Sequence, residues 1–167
     1  MIRIGIWERD EGIFRAVRRA CEKSGGGFPY MVSGRYGAEF TSMELEIFAV
    51  SERSARECRA RGGAKCACLL LPGEAGVLAK SVPAAQVVSY GASQRDTLTF
   101  SSREREHLTL AIRRSRLTAR GEELEEQELV LPAGEGNDMG LLAASGILLL
   151  LGIPPQELPA LLDGAFA

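Results

Sequence analysis

Two short turns carry the residues best suited to bind a small ligand. Gly73 and Glu74 follow a continuous apolar strand, and Gly134 and Asn137 lie between an alternating strand and an apolar helix. Glycine lets a backbone approach a ligand closely, while a carboxylate or carboxamide fixes its orientation. Because open α/β sheets bind ligands beyond the C-terminal ends of their strands, we predict these four residues as ligand-binding candidates. Gly73 and Glu74 also suit a plain strand-to-helix turn.

A phosphate-binding loop is not recognisable in the sequence. Such a loop needs glycines for close backbone approach, a lysine for the β- and γ-phosphates and a Ser or Thr for Mg²⁺. Segments 24–27 and 33–37 contain glycines but no lysine followed by Ser or Thr. The first also follows a predicted helix, at the end of the dipole that repels anions. We therefore predict no cofactor, and neither segment supports binding of ATP with Mg²⁺.

The other reactive side chains predict neither a metal site nor a catalytic nucleophile. Cys66 and Cys68 alternate on an apolar strand and so share a face, while Cys21 and Cys58 fall on predicted helices. The spacing differs from the C-x-x-C pairs typical of zinc sites. The only histidine, His107, stands at a strand start without the nucleophile-elbow pattern. We expect reduced, buried thiols and an exposed histidine.

Hydrophobic periodicity predicts an open α/β sheet in residues 1–91. Asp10 is predicted to cap the first helix, and Ser51 to cap the second. The predicted strands are 1–7, 43–50, 65–71 and 86–90; the predicted helices are 11–24 and 52–61, with a short helical turn at 75–80.

Residues 92–167 have a different pattern. Strands at 97–101, 107–114 and 127–131 predict an antiparallel meander with one wet side. A helix at 138–151 is apolar all round and should be buried, and Pro154 and Pro155 open a last helix at 156–166. The sequence thus predicts one α/β domain over 1–167: a small Rossmann-like parallel sheet, an antiparallel β annex and C-terminal helices.

Composition limits the possible partners. The chain has a net charge of -2, with 46% hydrophobic and 25% charged residues, which is typical of a globular domain. The basic run at 113–116 is followed by glutamates, which indicates a solvated hairpin and not a nucleic-acid surface. The apolar run at 147–153 is too short to cross a membrane. We expect a cytoplasmic protein that binds neither nucleic acid nor membrane.

Three segments of the second half occur in a characteristic order. Residues 87–91 end a strand at Tyr90-Gly91; residues 129–144 run from Leu-Val-Leu-Pro through Gly134 and Asn137 to two alanines; and residues 151–154 read Leu-Gly-Ile-Pro before the last helix. Together they resemble the later part of the central domain of the Mur ligase and folylpolyglutamate synthetase superfamily. In that family, the segment equivalent to residues 129–144 carries the motif leucine-proline-glycine-x-histidine-asparagine-x-x-asparagine-x-x-alanine-alanine. The resemblance covers about half of the chain.

The departures from this family bear on activity. The resemblance places Gly136 at the motif's histidine and Gly140 at its second asparagine, side chains that help hold nucleotide in the family. Glycine offers only backbone groups and freedom to adopt positive φ. The phosphate loop and a segment like the separate substrate domain are also missing from the sequence, so ligase activity is not expected.

Three hypotheses follow. The first is a non-catalytic Mur-ligase-like domain that binds a partner protein or a small ligand. The alternative is a small nucleotide- or metabolite-binding enzyme with a non-P-loop site at the strand C-terminal ends, where Glu74 and Asn137 would converge. The third is a homo-oligomer subunit joined through the apolar helix at 141–151.

Overall fold

The computed structural model describes residues 1–57 and 64–166. The α-helices are α1 (Gly12–Ser24), α2 (Glu52–Glu57), α3 (Asp138–Leu151) and α4 (Leu158–Leu161). The strands are β1 (Arg3–Trp7), β2 (Tyr30–Gly34), β3 (Glu44–Val50), β4 (Lys65–Pro72), β5 (Ala84–Tyr90), β6 (Leu98–Arg103), β7 (His107–Ile112), β8 (Arg116–Leu117), β9 (Glu123–Leu124) and β10 (Gln127–Pro132).

Eight strands form one mixed sheet in the order β10-β7-β6-β5-β4-β3-β1-β2. Strands β1 to β5 are parallel, whereas β7 is antiparallel to both β6 and β10. The predicted α/β class, with a parallel sheet, an antiparallel annex and C-terminal helices, is confirmed. The annex continues the same sheet, because Tyr90 of β5 pairs in parallel with Leu98 at the start of β6. β8 and β9 form a separate hairpin within the charged segment.

Apolar residues cover both faces of the sheet. α1, α3 and α4 pack on one face around Ile4, Ile6 and Leu70, while Trp7, Phe48 and their neighbours form a second cluster on the other. Residues 140–151 of α3 are all buried, as its uniformly apolar sequence predicts. This part of the helix is therefore buried within its own chain and has no exposed surface with which to contact another subunit. This argues against the third hypothesis, in which residues 141–151 join the subunits of a homo-oligomer.

Helix α3 lies close to the sheet because position 146 is glycine. A Cβ added to Gly146 would stand 2.8 Å from Leu98 Cδ1 and 2.9 Å from Leu70 Cδ2, closer than carbon atoms approach without a shift. The glycine weakens the helix intrinsically by about 1 kcal/mol relative to alanine. It allows the helix backbone to approach the two leucines, which places the first turn of α3 at the strand-end edge.

The structure differs from the sequence prediction at several elements. β2 was not predicted, because an edge strand of half-buried residues lacks a clear alternation. The last helix was predicted too long: a 3₁₀ turn at Pro155–Glu157 precedes α4, and turns follow it through Phe166, with φ of 71° at Gly164. β6 continues past Ser101 to Arg103 through a register shift. The end of the predicted helix 52–61, with Cys58, lies outside the described residues.

The cap of α2 was predicted correctly, since Ser51 Oγ accepts from Ser54 N at 3.1 Å. No helix in the described ranges has both the length and the apolarity needed to cross a bilayer.

Candidate functional site

Two cavities lie beside the first turn of α3, and Asn137 lines both. The smaller, about 140 Å³ and here called the strand-end cavity, lies where β1, β3 and β5 end. Its lining residues are Glu8, Arg9, Asp10, Ile13, Ser51, Glu52, Arg53, Tyr90, Asn137, Met139 and Gly140. This is the edge at which parallel α/β sheets bind their ligands.

Glu8 is the buried acid of the strand-end cavity, with 2% of its surface exposed. It follows β1, and its carboxylate turns back under the start of α1. Oε2 accepts from Ile13 N at 2.9 Å and Oε1 accepts from Phe14 N at 2.7 Å. Both carboxylate oxygens are therefore bonded to backbone N–H groups of the first turn of α1.

The prediction that Asp10 caps α1 is correct only for one N–H group at the surface. Asp10 Oδ1 does accept from Gly12 N at 3.2 Å, but at the surface. Glu11 stands at the N-cap position with φ of 59° and makes no side-chain cap bond. That left-handed turn folds the chain back so that Glu8 reaches the deeper N–H groups. The sequence gives no local signal for it, because left-handed glutamate is uncommon.

The Glu8 carboxylate occupies the position in which Rossmann-like domains bind phosphate. In those domains the anion sits on the N–H groups that open the first helix, with the helix dipole favouring its charge. Here the same groups already bind an anion belonging to the chain. Two more acids, Asp10 and Glu52, line the cavity, and its arginines Arg9 and Arg53 both pair with Glu57. The N–H groups of Ile13 and Phe14 therefore already have an acceptor within the chain.

Burial sets the protonation of this cavity. Burial raises the pKa of the Glu8 carboxyl above its usual 4.5, and the nearby charges of Asp10 and Glu11 raise it further. The two hydrogen bonds from backbone N–H groups lower the pKa, but by less. Burial also raises the pKa of Tyr90, whose hydroxyl donates to Val50 O at 2.6 Å. A buried carboxyl with a raised pKa can hold or release a proton, although both Glu8 oxygens are also structural acceptors.

The larger cavity, about 370 Å³ and here called the terminal cleft, lies between the start of β7, the loop after β10 and the turns that follow α4. Its lining residues are Glu106, His107, Pro132, Ala133, Gly134, Asn137, Asp138, Leu141, Leu162, Asp163, Gly164, Ala165 and Phe166. Leu141, Leu162 and Phe166 give it an apolar part. Glu106 and Asp163 form no ion pair with any residue in the described ranges. The cleft combines apolar surface with acidic groups.

Asn137 is the N-cap of α3. Its Oδ1 accepts from Gly140 N at 2.8 Å, and its carboxamide lies so close that a Cβ on Gly140 would stand 2.5 Å from Asn137 Nδ2. Gly140 therefore makes room for the cap. The oxygen of Asn137 is used within the chain, while Nδ2 makes no bond to a described residue and remains available to a ligand. Gly136, in the same loop, has φ of 122°, a conformation that favours glycine.

Arg103 fixes the loop that forms the wall of the terminal cleft. Its Nε lies 3.1 and 3.0 Å from the two carboxylate oxygens of Asp138, and its Nη2 donates to Gly134 O at 2.6 Å. It also bonds the carbonyls of Glu104 and His107. Sequence reasoning missed Arg103, because 35 residues separate it from Asp138 and no local pattern joins them.

The four predicted ligand residues fall into two groups. Gly134 and Asn137 line the terminal cleft together. Gly73 and Glu74 are exposed in a 3₁₀ turn after β4 and are not among the lining residues of either cavity. Gly73 lies against Asp96, whose Oδ1 would be 2.0 Å from an added Cβ. This contact explains the glycine structurally.

The remaining candidates are one histidine at the rim of the terminal cleft and three buried cysteines. His107 begins β7 and is exposed. Cys21, Cys66 and Cys68 are buried free thiols, and burial raises the pKa of Cys66 to about 12. The described residues contain no group of three or more His, Cys, Asp or Glu side chains arranged to hold a metal ion.

Comparison with known proteins identified no relative of this chain. No protein-family model matches the chain, and no curated protein matches it significantly.

Proposed function

We propose that this chain is a non-catalytic, Mur-ligase-like domain that binds a small ligand or a segment of a partner protein in the terminal cleft. The observation that carries the proposal is the Glu8 carboxylate on the first turn of α1. ATP-driven ligation needs the phosphates of ATP to be bound at such a turn. In this chain the N–H groups of the turn are bonded to the Glu8 carboxylate instead. The free thiols of the described residues support a cytoplasmic setting as part of the same proposal.

Several features of the terminal cleft suit a small ligand. Its volume of about 370 Å³ lies within the range of small-molecule sites. Arg103 holds its wall in place, so little ordering entropy opposes binding. Nδ2 of Asn137 offers a hydrogen-bond donor, and Glu106 and Asp163 favour neutral or cationic groups over phosphates.

A thermal-shift screen tests this proposal. A ligand that binds the folded state raises the melting temperature, and we expect hits among the amino-acid and peptide components of cell-wall precursors but none with Mg·ATP. Gly134→Trp should abolish the hits by filling the cleft. Gly76→Trp is the matched control, because an added Cβ meets nothing within 4 Å at either glycine and Gly76 lies outside the cleft. Hits that survive Gly134→Trp would place the site elsewhere.

The non-catalytic part of the proposal has its own test. Purified protein should neither hydrolyse ATP nor form amide bonds when amino acids are supplied. Turnover that is lost on changing Asn137 would overturn it.

One observation favours a second candidate, a small metabolite-binding enzyme that works in the strand-end cavity. The buried Glu8, with its raised pKa, stands there near Tyr90, Ser51 and Asn137, which is a plausible setting for acid-base catalysis. A volume of about 140 Å³ admits a small metabolite and not a nucleotide. This function would be established if wild type turns over a small metabolite and the folded Glu8→Gln variant does not. Equal turnover by both proteins would exclude Glu8 as the catalytic group and refute this candidate function.

A further inference from the structure

The outer edge of the sheet at β2 carries unpaired backbone groups. Tyr30 N donates to the residue before β1, and Gly34 O accepts from the residue after it, each at 3.0 Å. The backbone groups of a strand point alternately to its two sides, so those of Met31 and Ser33 point away from β1. No described residue bonds to them.

Strand β2 itself carries none of the charged residues or prolines that prevent strands from pairing, although Pro29 and Arg35 flank it. Natural edge strands are protected by charged residues, prolines or bulges. The opposite edge, β10, contains Glu128 and Pro132, whereas β2 contains neither a charged residue nor a proline. Instead, exposed aromatic residues lie along and beside β2: Phe28 is 53%, Tyr30 is 55% and Tyr36 is 67% exposed. Exposed aromatic side chains beside an unprotected edge indicate an interaction surface.

We propose that β2 pairs antiparallel with β2 of a second copy of this chain, with Val32 on the two-fold axis. Residues whose numbers add up to 64 then face each other. Met31 of each copy faces Ser33 of the other, and each of these two pairs exchanges an N–H···O=C bond in both directions. A two-fold interface requires such self-complementarity, because each residue meets its partner twice.

The flanking backbone groups select this register. Arg35 N–H and the carbonyl of Pro29 also point outward and face each other, so they form one further bond on each side. The groups that remain leave nothing unsatisfied: Pro29 has no N–H, and the Arg35 carbonyl already has a donor in Trp7 Nε1 at 3.1 Å.

Neighbouring registers leave orphan groups. If the strands shift by two residues in one direction, Ser33 faces Pro29 and the Ser33 carbonyl has no donor. A shift in the other direction places Met31 opposite Arg35, whose carbonyl would have to accept from Met31 N–H as well as from Trp7 Nε1. The backbone pattern is therefore self-complementary about Val32.

The aromatic residues are placed symmetrically about the same axis. Phe28 and Tyr36 each lie four residues from Val32, so Phe28 of one copy faces Tyr36 of the other at both ends of the paired strands. Aromatic pairs across antiparallel strands stabilise them. No charged residue of β2 faces a like charge in this arrangement, and the partner this edge fits is a second copy of the chain.

Sedimentation analysis tests the dimer with a matched pair of proline variants. Ser33→Pro removes an outward N–H at the proposed interface and leaves the bonds between β1 and β2 intact. Val130→Pro is the control on the opposite edge, where Val130 is 53% exposed. Ala133 N donates to the carbonyl of Glu106, just before β7, so the odd-numbered residues of β10 face β7 and Val130 N–H points outward. We expect wild type and Val130→Pro to sediment with twice the chain mass of 18.0 kDa. Ser33→Pro should sediment with the mass of a single chain.

A cysteine variant tests the register. Facing residues in a non-hydrogen-bonded antiparallel pair have Cα atoms about 4.5 Å apart, within disulfide range. Val32→Cys should therefore form a covalent dimer under mild oxidation, while wild type and Val130→Cys should not. A wild-type chain that sediments as a monomer at every concentration overturns the proposal. A dimer that persists in Ser33→Pro, or a dimer in which Val32→Cys does not cross-link, overturns it as well.

Discussion

Replacing Glu8 with alanine should destabilise the fold, because two N–H groups, one buried and one half-buried, would lose their acceptor. Ile13 N and Phe14 N lie 2.9 and 2.7 Å from the carboxylate. A buried donor left without a partner costs about 1–3 kcal/mol. Part of this cost is offset because the carboxylate no longer has to be desolvated, so we expect a loss of about 2–4 kcal/mol. In a chain of this length that corresponds to a fall in melting temperature of about 5–15 °C.

The glutamine variant separates hydrogen bonding from charge. Glu8→Gln keeps one acceptor oxygen, so it should cost about 1–2 kcal/mol, less than alanine. In wild type, burial raises the pKa of Glu8 above 4.5. As the pH rises past that value, the unfolded chain releases its proton first, and wild type loses stability until the folded carboxyl also ionises. Gln does not titrate, so its deficit relative to wild type should narrow as the pH rises above about 4.5, until the folded carboxyl has ionised as well.

Urea denaturation of wild type and both variants at a series of pH values measures these quantities. The alanine variant should be the least stable at each pH. A glutamine deficit that widens as the pH rises would refute the reasoning, since it would mean that the N–H groups of α1 favour the ionised carboxylate more than burial opposes it.

Three other predictions concern packing and chemistry. Asn137→Ala should lose about 1 kcal/mol of stability through the missing cap of α3, while Asn137→Asp should retain it; equal urea midpoints for the two would contradict the cap. Gly146→Val should cost at least about 1–3 kcal/mol, because its side chain would meet Leu70 and Leu98; a thermal melt that is unchanged would show that α3 packs elsewhere. With its pKa raised to about 12, Cys66 should react with a thiol reagent near neutral pH only after denaturation, and rapid labelling of the folded protein, located by mass spectrometry, would contradict its burial.

Elements with a strong apolar pattern could be predicted from the sequence. β4 ends in a run that is buried on both faces, and α3 is apolar throughout, so burial dictates both. β2 escaped prediction because it is defined by pairing with β1 and not by its own pattern. The last helix was overestimated because α4 ends after one turn at Leu161, and Gly164 adopts a positive φ of 71° in the turns that follow.

The candidate site could be predicted only in part. Gly134 and Asn137 were identified from a local motif, and both line the terminal cleft. Glu8 and Arg103 were missed for a common reason. Their roles depend on where the chain folds back, through the left-handed turn at Glu11 in one case and through the pairing with Asp138 in the other. Neither is encoded by residue spacing.

Isothermal titration of the folded wild-type chain with Mg·ATP tests the central proposal most directly. Because the Glu8 carboxylate occupies the start of α1, no binding heat should appear beyond dilution. A saturable heat with one ATP bound per chain would contradict the account.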